Sequence, residues 1–210
     1  MLGKIILTTL FAGLLAGIVM ACLQIFRLEP LIVVAETFEK AGEPTSRSLF
    51  SRLIPPMLAG VGFGIVTLGI SMLSNIPITK QNGLFWGMCG FLAVALAPAA
   101  SLPPTLPGMA VAELIPRQIW WVATVAATGI AIFLIVVRPE TWAKAAAVVL
   151  IALPHVIGAP QAADTSMPLP AHIAATFVAS SIAAAAVFWL VLGFALGQLL
   201  DKYQKDLSEP

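Results

Sequence analysis

The stretch "IILTTLFAGLLAGIVMACLQIF", residues 5–26, decides the fold because it carries no charged side chain over a length that can cross a bilayer. A membrane-spanning helix needs about 20 predominantly apolar residues. The pattern recurs along the chain, and further uncharged runs lie at 53–79, 81–112, 118–137, 145–163 and 165–200. The 210 residues are 60% hydrophobic and 10% charged, whereas a soluble domain is about 25% charged. We therefore predict an all-α integral membrane protein whose surroundings are the lipid bilayer.

The uncharged runs predict six membrane-spanning helices within a single membrane domain, residues 1–210. Prolines confine the third helix. The fifth is expected to begin near Glu140 and to be interrupted by Pro154, and five spans remain if this helix only dips into the membrane. The predicted spans are 5–26, 53–74, 83–101, 118–137, 140–157 and 173–200.

Short basic connections predict the orientation of these spans. The connections 75–82 and 138–144 carry Lys80, Arg138 and Lys144, and cytoplasmic loops are enriched in lysine and arginine. Six spans place both termini on that same side, so we expect cytoplasmic termini in a bacterial inner membrane. The proline-rich loops then lie on the periplasmic side, where the prolines either make rigid connections or simply end helices.

Small residues and missing motifs narrow the possible functions. Glycines four residues apart predict either a tight helix bundle or a face for a partner helix. The sequence contains no phosphate-binding loop, zinc-protease motif or nucleophile elbow, so we expect no enzyme and no covalently bound cofactor. A net charge of +1 gives no general attraction to nucleic acid. The glycine pairs are Gly13/Gly17, Gly60/Gly64, Gly83/Gly87 and Gly193/Gly197.

Carboxylates near one predicted membrane face are the first candidate ligands for a metal ion. Glu36, Glu39 and Glu43 would share one face of a helix, and Glu29 precedes Pro30 at the end of the first span. Grouped carboxylates attract divalent cations. The same spacing is also typical of a solvated helix face.

His155, in "ALPHVIGAP" (152–160), is the second candidate ligand. An ionisable residue near membrane depth is expensive and points to function, and neutral imidazole binds transition metals. Alternatively, the imidazole bonds a carbonyl that Pro154 leaves free and so ties down a broken helix. Arg117, Trp120 and Trp121 form a predicted anchor at the headgroup boundary, which arginine and tryptophan favour.

The motifs together resemble the CbtA-type family of predicted cobalt transporter subunits. The resemblance rests on "LEPLIVVAETFE", "GLFWGMCGFLAVALAPAASLPPTLPGM", "RQIWW", "ALPHVIGAP" and "VFWLVLGFALG", whose order is kept over nearly the whole chain. The matching positions are Glu29, Pro30, Glu36, Pro98, Pro103, Pro104, Pro107, Arg117, Gln118, Trp120, Trp121, Pro154, His155, Gly158 and Pro160. One departure stands out: the loop after the first span has none of the histidines that many such proteins carry there.

The resemblance implies an inner-membrane protein linked to cobalt supply for cobalamin synthesis, often beside a one-span partner, CbtB. The leading hypothesis is a permease subunit without its own ATPase. In it Glu29, Glu36 and Glu39 gather Co²⁺ or a similar cation, and His155 is the deeper ligand. The alternative is a non-catalytic structural or accessory subunit packed within a larger inner-membrane complex.

Overall fold

The computed structural model of the protein describes residues 2–38, 48–162 and 169–208, and the side chains up to residue 201. Every regular element in these ranges is helical, which confirms the predicted all-α class. The α-helices are α1 (Leu2–Leu23), α2 (Glu29–Glu36), α3 (Leu49–Ser74), α4 (Gly83–Gly90), α5 (Ala97–Ala99), α6 (Leu114–Val137), α7 (Thr141–Ile157) and α8 (Ala171–Ser208). Two π-helical segments, π1 (Gln24–Leu28) and π2 (Phe91–Leu96), connect α1 to α2 and α4 to α5.

Four helices among the described residues are long and apolar enough to cross a membrane. They are Leu2–Glu36, Leu49–Ser74, Leu114–Val137 and Ala171–Asp201. Two shorter apolar helices, Gly83–Ala99 and Thr141–Ile157, occupy the other two predicted segments. The helix in the predicted fifth span has 17 residues, which is a length of about 26 Å at 1.5 Å per residue. The apolar helices confirm a multi-pass membrane protein, and the number of spans stays a prediction.

Each π segment precedes a proline, and this explains why the first helix is longer than predicted. A proline ring inside a helix clashes with the carbonyl four residues earlier. For Pro30 that carbonyl belongs to Phe26, inside π1, and for Pro98 it belongs to Val94, inside π2. The wider π turn gives the ring room, so the first helix does not end near Phe26 but continues to Glu36.

The prediction that Pro154 interrupts the fifth helix is wrong. Helix α7 runs through Pro154 and ends at Ile157. Pro154 lies in the last turn, so its missing N–H affects little of the helix. Gly158 then ends the helix, with a φ of +88° that favours glycine and an N–H that donates to the Pro154 carbonyl at 3.0 Å.

Contacts divide the chain into two compact units. The first unit comprises Met1–Glu29, Thr45–Gly90 and Ala183–Pro210. The second comprises Pro30–Pro44 and Phe91–Ile182.

Helices α1 and α3 of the first unit touch through their glycines, so the predicted close packing is confirmed. A Cβ atom added to Gly13 would lie 2.5 Å from the Gly60 carbonyl oxygen, and one added to Gly17 would lie 2.5 Å from the Met57 Cα. Such distances mean that backbone meets backbone. The two remaining glycine pairs bring α4 against the C-terminal half of α8, where an added Cβ on Gly83 would lie 2.5 Å from the Gly193 carbonyl oxygen.

In the second unit α6 and α7 form an antiparallel pair. The buried side chains of α6 are Trp120, Thr124, Thr128 and Ala131, spaced three or four residues apart. The buried residues of α7 are Ala143, Ala147 and Pro154. Since most of these side chains are small, the two helices approach closely, and the larger Trp120 lies at the end of the pair nearest Pro154.

Replacing Gly60 by alanine tests the contact between α1 and α3. The new Cβ would lie 3.0 Å from the Gly17 nitrogen and 3.1 Å from the Gly13 carbonyl carbon, so the backbones must separate. We expect Gly60→Ala to lower the free energy of unfolding by about 1–3 kcal/mol, the usual range for overpacking. Gly62→Ala is the matched control on the same helix, because nothing lies within 4 Å of its added Cβ. Equal thermal unfolding of the two variants in detergent would contradict the glycine contact.

Candidate functional site

His155 lies in the last turn of α7 and is half-buried. Its Nδ1 atom is 2.8 Å from the Oγ of Ser101, which follows α5 in the same unit. Residues 54 positions apart in the sequence are thereby joined by one hydrogen bond. The partner of the ring is a side-chain hydroxyl and not a carbonyl of the helix, so the imidazole does not tie down its own helix in the manner considered from the sequence.

Trp120 supports the same turn of α7. Its indole Nε1–H donates to the Pro154 carbonyl at 3.1 Å, so that carbonyl accepts from Trp120 and from Gly158. The Trp120 ring also meets the His155 ring edge-to-face, with centroids 5.8 Å apart and planes inclined by 70°. Trp120 is only 8% exposed. Its ring therefore packs within the chain, and the anchoring role of Arg117, Trp120 and Trp121 at the headgroup boundary stays a prediction.

Ser101, Trp120, Pro154 and His155 form what we call the His155 cluster. Three of the four were singled out from the sequence, and Ser101 was not. Its only signal was its position between the proline-containing end of the third predicted span and the proline loop. Nothing in the sequence around this serine predicts that the fold brings it to an imidazole 54 residues away.

Glu29, a predicted metal ligand, already has a cationic partner. One carboxylate oxygen is 2.9 Å from a terminal nitrogen of Arg52, and the side chains are 17% and 31% exposed, respectively. Glu29 and Arg52 both belong to the first unit, and His155 belongs to the second. A cation could bind Glu29 only in competition with the Arg52 guanidinium.

Of the predicted helical face of Glu36, Glu39 and Glu43, only Glu36 lies within the described residues. Helix α2 ends at Glu36, and Thr37 and Phe38 make a turn. The reason is local: the Thr37 hydroxyl and backbone N–H both donate to the Val34 carbonyl, at 2.7 and 3.2 Å. Glu39 and Glu43 lie outside the described residues.

No group of three or more histidine, cysteine, aspartate or glutamate side chains that could hold a metal ion occurs in the described ranges. An ion bound by His155 would therefore need most of its ligands from groups other than histidine, cysteine, aspartate and glutamate side chains of the described ranges. The arrangement can supply one imidazole nitrogen and a neighbouring hydroxyl.

A family model described as "Probable cobalt transporter subunit (CbtA)" matches residues 2–201. The chain belongs to the CbtA family. This match covers nearly the whole chain and confirms the resemblance seen in its motifs. Membership of CbtA, together with the apolar helices, identifies a membrane protein of cobalt transport. No curated protein and no solved structure matches the chain.

Within this CbtA chain, the Trp120 hydrogen bond should be measurable in the stability of the His155 cluster. Trp120→Phe removes the indole donor while keeping an aromatic ring, and we expect a loss of about 0.5–1.5 kcal/mol in the free energy of unfolding. Trp121→Phe is the neighbouring control, since none of the hydrogen bonds among the described residues involves its indole. The comparison is made by thermal unfolding in one detergent, and identical midpoints for both variants would contradict the role of Trp120.

Proposed function

We propose that the chain is a permease subunit that passes Co²⁺ or a similar divalent transition-metal ion across the inner membrane, and that His155 binds the ion on its way. The observation that carries the proposal is the held imidazole of His155, bonded to Ser101 and packed against Trp120. It lies at the end of an apolar helix in a family of cobalt transporter subunits. Burying an ionisable side chain at membrane depth costs free energy, so such a residue points to a function.

The ligand chemistry agrees with transport more than with storage. Imidazole suits borderline metals better than carboxylate alone, and the described residues offer one such group at this point rather than a cage. A permeating ion must be bound well enough to enter and weakly enough to leave. One imidazole, with water and backbone oxygens as the other ligands, meets both conditions.

The carboxylates act earlier on the path in this proposal. Glu36 and Glu39 raise the local concentration of cations, and Glu29 takes part only when the ion displaces Arg52 from the pair. The membrane potential drives entry, and because it is worth about 2.3 kcal/mol per unit charge per 100 mV, a divalent ion gains about twice that amount. No reaction is catalysed.

The orientation is part of the same proposal. We place both termini in the cytoplasm, with six spans that include the two shorter apolar helices, Gly83–Ala99 and Thr141–Ile157. The proline-rich loops then face the periplasm, and the subunit serves cobalamin supply beside a small CbtB-type partner. A reporter enzyme that is active only in the periplasm, fused after Pro210, should stay inactive, and activity would contradict this placement.

The accessory-subunit alternative loses one of its supports. It drew on glycine faces that a partner helix could cover. Those glycines instead pack against one another within the first unit, as Gly13 does against Gly60 and Gly83 against Gly193.

The proposal is tested by uptake of radioactive Co²⁺ in cells that lack other cobalt importers. We expect His155→Ala to abolish uptake because the imidazole ligand is lost, while the amount of folded protein in the membrane stays near that of the wild type. His155→Gln should fail as well, since an amide replaces a hydrogen bond but binds transition metals poorly.

The matched control is His172→Gln, because His172 is the chain's other histidine and is exposed. It should transport normally. Recovery of uptake in His155→Gln would reduce His155 to a hydrogen-bonding role and overturn its assignment as a ligand.

A further inference from the structure

We propose that Ser101 is the positioning residue of the ion site: its hydroxyl oxygen accepts the Nδ1–H of His155 and so presents the Nε2 lone pair to the ion. This inference rests on the proposed function and deepens it by naming the ligand atom. Its basis is the 2.8 Å distance between Ser101 Oγ and His155 Nδ1. Nε2 makes no hydrogen bond to any residue that the structure describes.

The two ring nitrogens of histidine are distinct, and the hydrogen bond at one sets the state of the other. A metal-binding imidazole usually donates its second N–H to an oxygen, which fixes the tautomer and the ring orientation. Ser101 provides that oxygen. If the hydroxyl instead donated to Nδ1, the proton of the neutral ring would be on Nε2, and Nε2 could not bind a metal ion. Ligation through Nε2 therefore requires Ser101 to be the acceptor.

Ser101 is itself held in place. Its N–H donates to the Pro98 carbonyl at 3.3 Å, and the next residue, Leu102, donates to the same carbonyl at 2.9 Å. Pro103 and Pro104 then fix the backbone that follows, and Leu106 is buried, with 3% exposure. The hydroxyl thus belongs to a constrained turn that begins the proline loop.

The imidazole is fixed from another direction. The Trp120 and His155 rings meet edge-to-face, with their centroids 5.8 Å apart. The Trp120 indole N–H also donates to the carbonyl of Pro154, the residue before His155. Rotation of the ring by half a turn about χ2 would exchange the positions of its polar and apolar edges and break the bond to Ser101. Two independent elements, α6 and the turn at Ser101, therefore agree on one ring orientation.

Nitrogen NMR of the full-length protein in lipid nanodiscs, with ¹⁵N-labelled histidine, reads the tautomer directly. The chain has two histidines, so a spectrum of His172→Gln assigns the signals of His155. Zn²⁺ is the diamagnetic probe used in place of Co²⁺. We expect Zn²⁺ to shift Nε2 to a metal-bound value while Nδ1 keeps its proton. Metal bound at Nδ1, or a proton kept on Nε2 at saturating Zn²⁺, would overturn the inference.

Binding of Co²⁺ by Ser101 variants gives the second readout. Ser101→Ala removes the acceptor and should weaken Co²⁺ binding by about 10–100-fold, as loss of an outer hydrogen-bond partner usually does. Ser101→Thr keeps the hydroxyl and should restore binding to near the wild-type value. Unchanged binding in Ser101→Ala would overturn the inference, as would a failure of threonine to rescue a folded protein.

The outcomes separate this inference from the proposed function. If His155→Ala loses Co²⁺ binding and Ser101→Ala does not, only the role of Ser101 is rejected. If the wild type binds neither Co²⁺ nor Zn²⁺, the proposed function is rejected and the inference with it. Should Ser101→Ala fail to fold, the tautomer measured in the wild type still decides.

Discussion

Backbone hydrogen bonding is the constraint on which this structure depends, because lipid offers no partner for a free N–H or C=O. Helices satisfy this constraint, but several of them contain prolines, which lack a backbone N–H. At Pro30 and Pro98 a π turn precedes the ring and accommodates it. At Pro154 the helix is within one turn of its end, and the indole of Trp120 joins Gly158 in bonding the Pro154 carbonyl. The last case matters most, since the same indole packs against His155.

The positions of the apolar helices could be predicted from the sequence because charge is so scarce that its gaps mark the spans. The ends of the helices were harder. The first span was expected to end near residue 26, yet the first helix continues through a π turn to Glu36. Pro154 was expected to interrupt the fifth helix, yet it lies in the last turn of α7. A pattern of residue types does not show whether neighbouring backbone can relax around a ring.

Three of the four members of the His155 cluster were predictable from the sequence, but Ser101 and the contacts among the four were not. His155 was predicted as a ligand because it is an ionisable group in an apolar segment, and Trp120 was predicted as an anchor at the headgroup boundary. Their contact, and the bond from His155 to Ser101, depend on how α5, α6 and α7 pack. Glu29 illustrates the opposite outcome: its charge was read as a metal ligand, while the fold pairs it with Arg52 at 2.9 Å. Such a pair keeps a carboxylate from standing alone near the membrane, where an uncompensated charge is expensive.

Cobalt K-edge X-ray absorption of the Co²⁺-loaded, full-length protein in lipid nanodiscs tests the central claim that His155 binds the transported ion. The account predicts outer-shell scattering from one imidazole among oxygen ligands in the wild type, and its absence from His155→Gln. A sulfur-rich coordination shell, or an imidazole signal that survives in the variant, would contradict the claim.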